Sequence, residues 1–137
     1  MQKIEHIGIA IADIDEGEAL YKKLLGVPSY KREVVTSEGV VTSFFRQGPN
    51  KIELVAPLTQ GEGPIGKFLE KKGPGMHHIA YAVTDILAEM ARLKSEGFTL
   101  LSEVPKSGAD NKLVCFVHPK SAGGVLMELC QEKPSDH

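Results

Sequence analysis

The stretch "HIGIAIADI" at residues 6–14 returns 72 positions later as "HIAYAVTDI". His6 aligns with His78, Ile7 with Ile79, Ala10 with Ala82, and Asp13-Ile14 with Asp85-Ile86. A chain of 137 residues has room for one ordinary domain. Two copies of one module must therefore supply nearly all of its core. The period is too long, and the copies too few, for a solenoid.

Each copy alternates apolar and polar residues with period 2 and reads as a strand. A helical pattern follows each. Asp13 or Asp15 caps the first, with Ala19, Leu20 and Leu24 expected on its inner face; Asp85 caps the second, with Leu87, Met90 and Leu93. Gly26 and Gly97 stand where helices stop. Strand-like runs follow at about 29–36, 40–46 and 51–56, and again at about 99–104, 112–117 and 124–130, with turn-rich stretches between them. The order is β-α-β-β-β, twice. The sequence predicts a first module over about 4–56, a linker over about 57–75 with a short helix near 64–71, and a second module over about 76–131.

Side chains two apart on a strand share a face. His6 shares its face with Gly8 and Ala10, and His78 with Ala80 and Ala82. The bulkier residues of each run face the other way, toward the helices. Small residues around an imidazole suit a cavity wall. His77 points to the packing side or the strand end and carries little functional weight. The last strand of each half adds a carboxylate between hydrophobes: Glu53 in "KIELVAP" and Glu128 in "VLMELCQ". A carboxylate buried without a partner is costly. Two histidines and two glutamates at repeated positions point instead to a shared set, which two-fold packing of the halves would assemble as His2Glu2. Imidazole and carboxylate together suit one divalent cation per chain, with Co, Zn, Ni or Mn all compatible. Open positions on such an ion make a Lewis acid able to polarise a carbonyl.

Composition narrows the alternatives. The net charge is −2 with 25% charged residues, so there is no basic footprint for nucleic acid. No apolar run approaches the roughly 20 residues of a membrane span. The opening "MQKIEHIG" reads as strand rather than signal peptide, and Cys115 and Cys130 sit singly in apolar runs. A cytoplasmic chain with buried, reduced thiols is expected. "GEGPIG" follows no strand suited to a dinucleotide fold, so no nucleotide cofactor is called for.

With these stretches in hand, the chain resembles the vicinal oxygen chelate superfamily and, within it, the methylmalonyl-CoA epimerases. The resemblance covers about residues 4–132. It is carried by "HIGIAIADI", "KIELVAPL", "PIGKFLEKKGPGMHHIAYAV" and "LLSEVPKSGADNKLVCFVHPKSAGGVLMELCQ". It implies an α+β fold, in which two tandem βαβββ modules form a cupped mixed sheet around a metal site within a single domain. The family's ligand positions fall on His6, Glu53, His78 and Glu128. The implied partner is an acyl-CoA substrate, and the implied assembly a homodimer.

The implied reaction is epimerisation at C2 of methylmalonyl-CoA through a stabilised enolate, with two acid-base groups on opposite faces of the carbon. Glu128 would be one. Family members often carry Glu-Gln-Gly-Val before the third strand; here the stretch is "VVTSEGVV", with Ser37 at the gapless position and Glu38 beside it. Either a one-residue shift lets Glu38 serve, or the second base lies elsewhere. Lys106, Lys112 and Lys120 are candidates for CoA phosphates or plain solvated lysines. A lactoylglutathione lyase resembling glyoxalase I, which shares the strand-end ligands, and a non-catalytic binding protein of the same superfamily are the competing readings.

Overall fold

The computed structural model describes residues 1–134. The elements run β1 (Lys3–Ala10), α1 (Ile14–Leu25), β2 (Lys31–Val35), β3 (Val40–Gln47), β4 (Asn50–Pro57), α2 (Gly63–Lys72), β5 (Gly75–Ala82), α3 (Ile86–Ser95), β6 (Lys106–Gly108), β7 (Lys112–Val117) and β8 (Met127–Glu132). The doubled β-α-β-β-β order is present, with α2 as the linker helix. The chain divides into two compact units, one of residues 6–77 and the other of residues 1–5 together with the chain from His78 onward.

In the unit of residues 6–77 the strand order is β2-β3-β4-β1. β1 runs parallel to β4 with Gly8 opposite Glu53, and β4 runs antiparallel to β3 with Phe44 opposite Glu53. Asp13 caps α1, its carboxylate accepting from Glu16 N at 2.9 Å, and Gly26 ends it in the left-handed conformation. The helix packs Ile14, Tyr21 and Leu25 against Ile11, Phe45, Leu54 and Ala56. This corrects the expected face: Ala19 is exposed, and Leu20 and Leu24 are 61% and 68% exposed. The cause is Gly17. It is buried so close to the sheet that a Cβ there would run into Ile11 Cδ1, and that approach turns the 14–17–21–25 stripe inward. α2 starts around Pro64, as its sequence predicts, and closes where Gly73 N–H donates to Leu69 O.

In the other unit the order is β5-β8-β7-β6. β5 runs parallel to β8 with Ala80 opposite Glu128, and β8 antiparallel to β7 with Phe116 opposite Glu128. Gln2 N–H donates to Ala82 O at 2.8 Å, which ties the first residues to β5. Asp85 caps α3 by accepting from Ala88 N at 3.0 Å. The helix buries Ile86, Met90 and Leu93 on Val83, Cys115, Val117 and Leu129. Ile86 takes the place expected for Leu87, which is exposed. Both cysteines are buried and outside any disulfide.

Two strand expectations need correction. Residues 99–104 form no strand; Leu100 makes one isolated bridge to Val117, and the edge strand is β6. The Ser102 hydroxyl donates to Val104 O at 2.9 Å, bending the chain locally, and Pro105 has no N–H for a ladder. The last strand begins at Met127 rather than near residue 124 because Gly123 and Gly124, both at positive φ, close the turn over Pro119–Ala122. Among the described residues, no helix is long and apolar enough to cross a membrane.

Within each unit, alternate strand positions look away from the helix. On β1 and β4 these are His6, Gly8, Ala10 and Glu53; on β5 and β8 they are His78, Ala80, Ala82, Glu128 and Cys130.

Candidate metal centre

The register places one histidine diagonally beside one glutamate in each unit. Gly8 lies opposite Glu53, so His6, two residues earlier on the same face, reaches across with Nε2 3.5 Å from Glu53 Oε1. In the other unit Ala80 lies opposite Glu128, and His78 repeats the relation with Nε2 3.1 Å from Glu128 Oε1. The small side chains at residues 8 and 80 leave room for the rings to lie over them. All four residues are buried, at 5% (His6), 7% (Glu53), 4% (His78) and 6% (Glu128) exposure.

Buried carboxylates need compensation from a charge or from hydrogen bonds. Here each has an imidazole nitrogen turned toward one oxygen. The contact at 3.1 Å is within hydrogen-bond range, and the one at 3.5 Å is longer than an ordinary N–H···O bond. Imidazole Nε2 and carboxylate oxygen are both ligand atoms for borderline divalent cations. Each pair is thus chemically fit to supply half of a metal's ligand set. His6, Glu53 and His78 each present such an atom.

The surroundings of His78 and Glu128 hold two residues that sequence reading did not assign to the site. The Phe116 ring stands edge-on to the His78 ring at 5.8 Å between centroids and 85° between planes, which limits how the imidazole turns. Cys130 Sγ donates to Glu128 Oε2 at 3.1 Å, and Cys130 packs with Ala80 and Val114. Strand alternation carried a signal for both: Cys130 is two residues past Glu128, and Phe116 lies directly opposite it on β7.

Other named residues lie elsewhere. Glu38 is exposed on the 3₁₀ turn Thr36–Glu38 between β2 and β3, which Gly39 closes at φ 68°; it is not one of the buried four. Ser37 is exposed on the same turn. His77 faces α2, its ring edge-on to Phe68 at 4.9 Å, in keeping with a packing role. Lys112 is buried and paired to Glu132 at 3.1 Å, which engages it structurally, whereas Lys106 and Lys120 are exposed.

Residues 5–116 match the family model described as the glyoxalase/bleomycin resistance protein/dioxygenase superfamily. The chain is 42% identical over 131 residues to the ethylmalonyl-CoA/methylmalonyl-CoA epimerase of Cereibacter sphaeroides, covering 94% of this chain and 97% of that protein. It is 41% identical over 130 residues to the human mitochondrial methylmalonyl-CoA epimerase, covering 94% of this chain and 73% of the relative. Among solved structures it is similar to a Streptomyces coelicolor methylmalonyl-CoA epimerase variant in complex with 2-nitronate-propionyl-CoA. That match has a TM-score of 0.90 and 31% identity, and covers 98% of this chain and 99% of the other.

Proposed function

Because the chain belongs to the glyoxalase/bleomycin resistance protein/dioxygenase superfamily and has its α+β vicinal oxygen chelate fold, we propose that it is a metal-dependent methylmalonyl-CoA epimerase. Its two units would act as one domain. The observation that carries this reading is the pair of buried His–Glu contacts set by the same register in both halves of the repeat. His6, Glu53, His78 and Glu128 would hold one divalent ion, of Co, Zn, Ni or Mn. The names of the two relatives described above, both acyl-CoA epimerases, support this substrate over the hemithioacetal of a lactoylglutathione lyase.

The chain's own residues then divide the work. When bound, the ion supplies positive charge next to the oxygens on which negative charge develops as C2 loses its proton. The imidazoles of His6 and His78 orient the site through their nitrogens. Glu128, with one oxygen held by Cys130, takes or returns the C2 proton on one face of the carbon. Glu38 serves the other face from its turn. Burial of the four ligands would keep competing water away.

Exchange of the C2 proton of methylmalonyl-CoA in deuterated water, followed by NMR with metal-loaded protein, tests the assignment. Catalysed exchange is expected. No exchange, together with isomerisation of a glutathione hemithioacetal, would transfer the assignment to the lyase.

A further inference from the structure

The two halves of the repeat differ beside their glutamates. Two residues past Glu53, β4 carries Val55; two residues past Glu128, β8 carries Cys130. Both are buried, at 5% and 2% exposure. A buried free cysteine packs like a small hydrophobe. The equivalent place in the other half carries valine, so a thiol is not a fixed feature of the module.

What the thiol adds is a donor. Cys130 Sγ lies 3.1 Å from Glu128 Oε2, while the other oxygen, Oε1, is the one 3.1 Å from His78 Nε2. The two oxygens of a single carboxylate are thereby given different partners. Ala80 and Val114 pack around Cys130 and hold its sulfur in place. An S–H donor is weak toward a neutral acceptor but stronger toward a charged one, and a buried carboxylate is charged when it acts as a ligand.

From this we infer that Cys130 is a positioning residue for Glu128. Its S–H holds Oε2 back and sets the carboxylate plane, so that Oε1 alone is presented on the side of His78. The inference rests on the proposed role of Glu128 as ligand and acid-base group. It makes the two glutamates inequivalent: Glu128 is oriented from behind by a thiol, and Glu53 has a hydrocarbon at the corresponding place. The sulfur acts as a hydrogen-bond donor and is not itself a ligand.

The test uses the full chain loaded with Co(II), in wild type, Cys130→Val and Cys130→Ser. Cys130→Val gives β8 the residue that β4 already carries; Cys130→Ser keeps a donor. Co(II) affinity by chelator competition, the visible d–d spectrum, and kcat and KM for C2 exchange are compared. Loss of a partner that orients a ligand commonly weakens metal binding about 10–100-fold. Cys130→Val is expected to weaken Co(II) binding about tenfold or more, shift the visible bands and lower kcat with little change in KM. Cys130→Ser is expected to recover most of each. Should Cys130→Val not fold, Cys130→Ala removes the donor without filling the site and is read the same way.

Co(II) affinity and spectrum of the valine or alanine variant within about twofold of wild type, well short of that 10–100-fold range, would overturn the inference. So would a near-ultraviolet thiolate-to-cobalt band that disappears in Cys130→Val, because Cys130 would then be a ligand. A wild type that binds Co(II) without catalysing C2 exchange contradicts the proposed reaction, and the affinity and spectrum still decide the role of Cys130.

Discussion

His78 Nε2 and Glu128 Oε1 meet at 3.1 Å in a buried setting, each residue reaching diagonally across the parallel pair β5–β8. The same register in the other half brings His6 to Glu53. Neither pair is a surface ion pair of small consequence. Each places a carboxylate where solvent cannot stabilise it, so removing either member leaves the other under-compensated.

Replacing His78 by Ala should therefore destabilise the metal-free chain by about 1–3 kcal/mol, as loss of a hydrogen-bond partner of a buried polar group does. Adding Glu128→Gln, which removes the charge but keeps the shape, should recover part of that loss. Urea unfolding of the chelator-treated proteins measures both. A His78→Ala variant as stable as wild type would mean that the contact contributes nothing beyond geometry.

Glu38→Gln should retain metal and fold while losing turnover by about 10²–10⁴-fold, because it removes proton transfer on one face only. The steady-state rate of C2 epimerisation reads this out. A rate within about twofold of wild type, well below that range, would show Glu38 to be an ordinary turn carboxylate and move attention to Ser37, Glu33 or a water.

Gly17→Ala should destabilise the chain, although alanine favours helix by about 1 kcal/mol over glycine. The new methyl would displace Ile11 Cδ1 within a buried cluster and lies 3.3 Å from Leu54 Cδ1, and overpacking of this kind costs about 1–3 kcal/mol. A net loss of stability in chemical denaturation is expected; a net gain would show that α1 moves outward freely.

Acid sensitivity should have an identifiable source on α1 and β2. The Arg32 guanidinium bonds both oxygens of Glu18, at 3.0 and 2.7 Å, and Ser43 donates to the same carboxylate at 2.6 Å. The hydrogen bonds from Arg32 hold the Glu18 carboxyl below its usual 4.5, with Ser43 assisting and partial burial opposing. A depressed carboxylate contributes stability that is complete above its unfolded value, near 4.5, and is lost as pH falls through the lowered folded value. Stability should thus decline below about pH 4.5 more steeply in wild type than in Glu18→Gln. Parallel slopes in the two proteins would assign the acid loss to other groups. The partial exposure of Arg32 keeps this contribution modest.

The legibility of this chain was uneven for physical reasons. Period-2 alternation and a duplicated segment reveal strand faces directly, so the sequence alone puts His6, His78, Glu53 and Glu128 on matching faces of their strands. The inner face of α1 was misread because Leu20 and Leu24 dominate any hydropathy count, whereas Gly17, which sets the approach to the sheet, carries no apolar signal. The stretch 99–104 has strand-like composition, but the local hydrogen bond of Ser102 and the following proline decide its path. The Cys130–Glu128 bond depends on rotamers and on which oxygen faces which neighbour, and sequence spacing shows only that the two residues share a face.

Metal stoichiometry tests the central claim most directly, since two half-sets of ligands could hold one ion together or act apart. Elemental analysis of wild type and of Glu53→Ala/Glu128→Ala, both shown folded by circular dichroism, should find one divalent ion per wild-type chain and none in the double variant. Two ions per wild-type chain, or an undiminished ion in the double variant, would contradict the account.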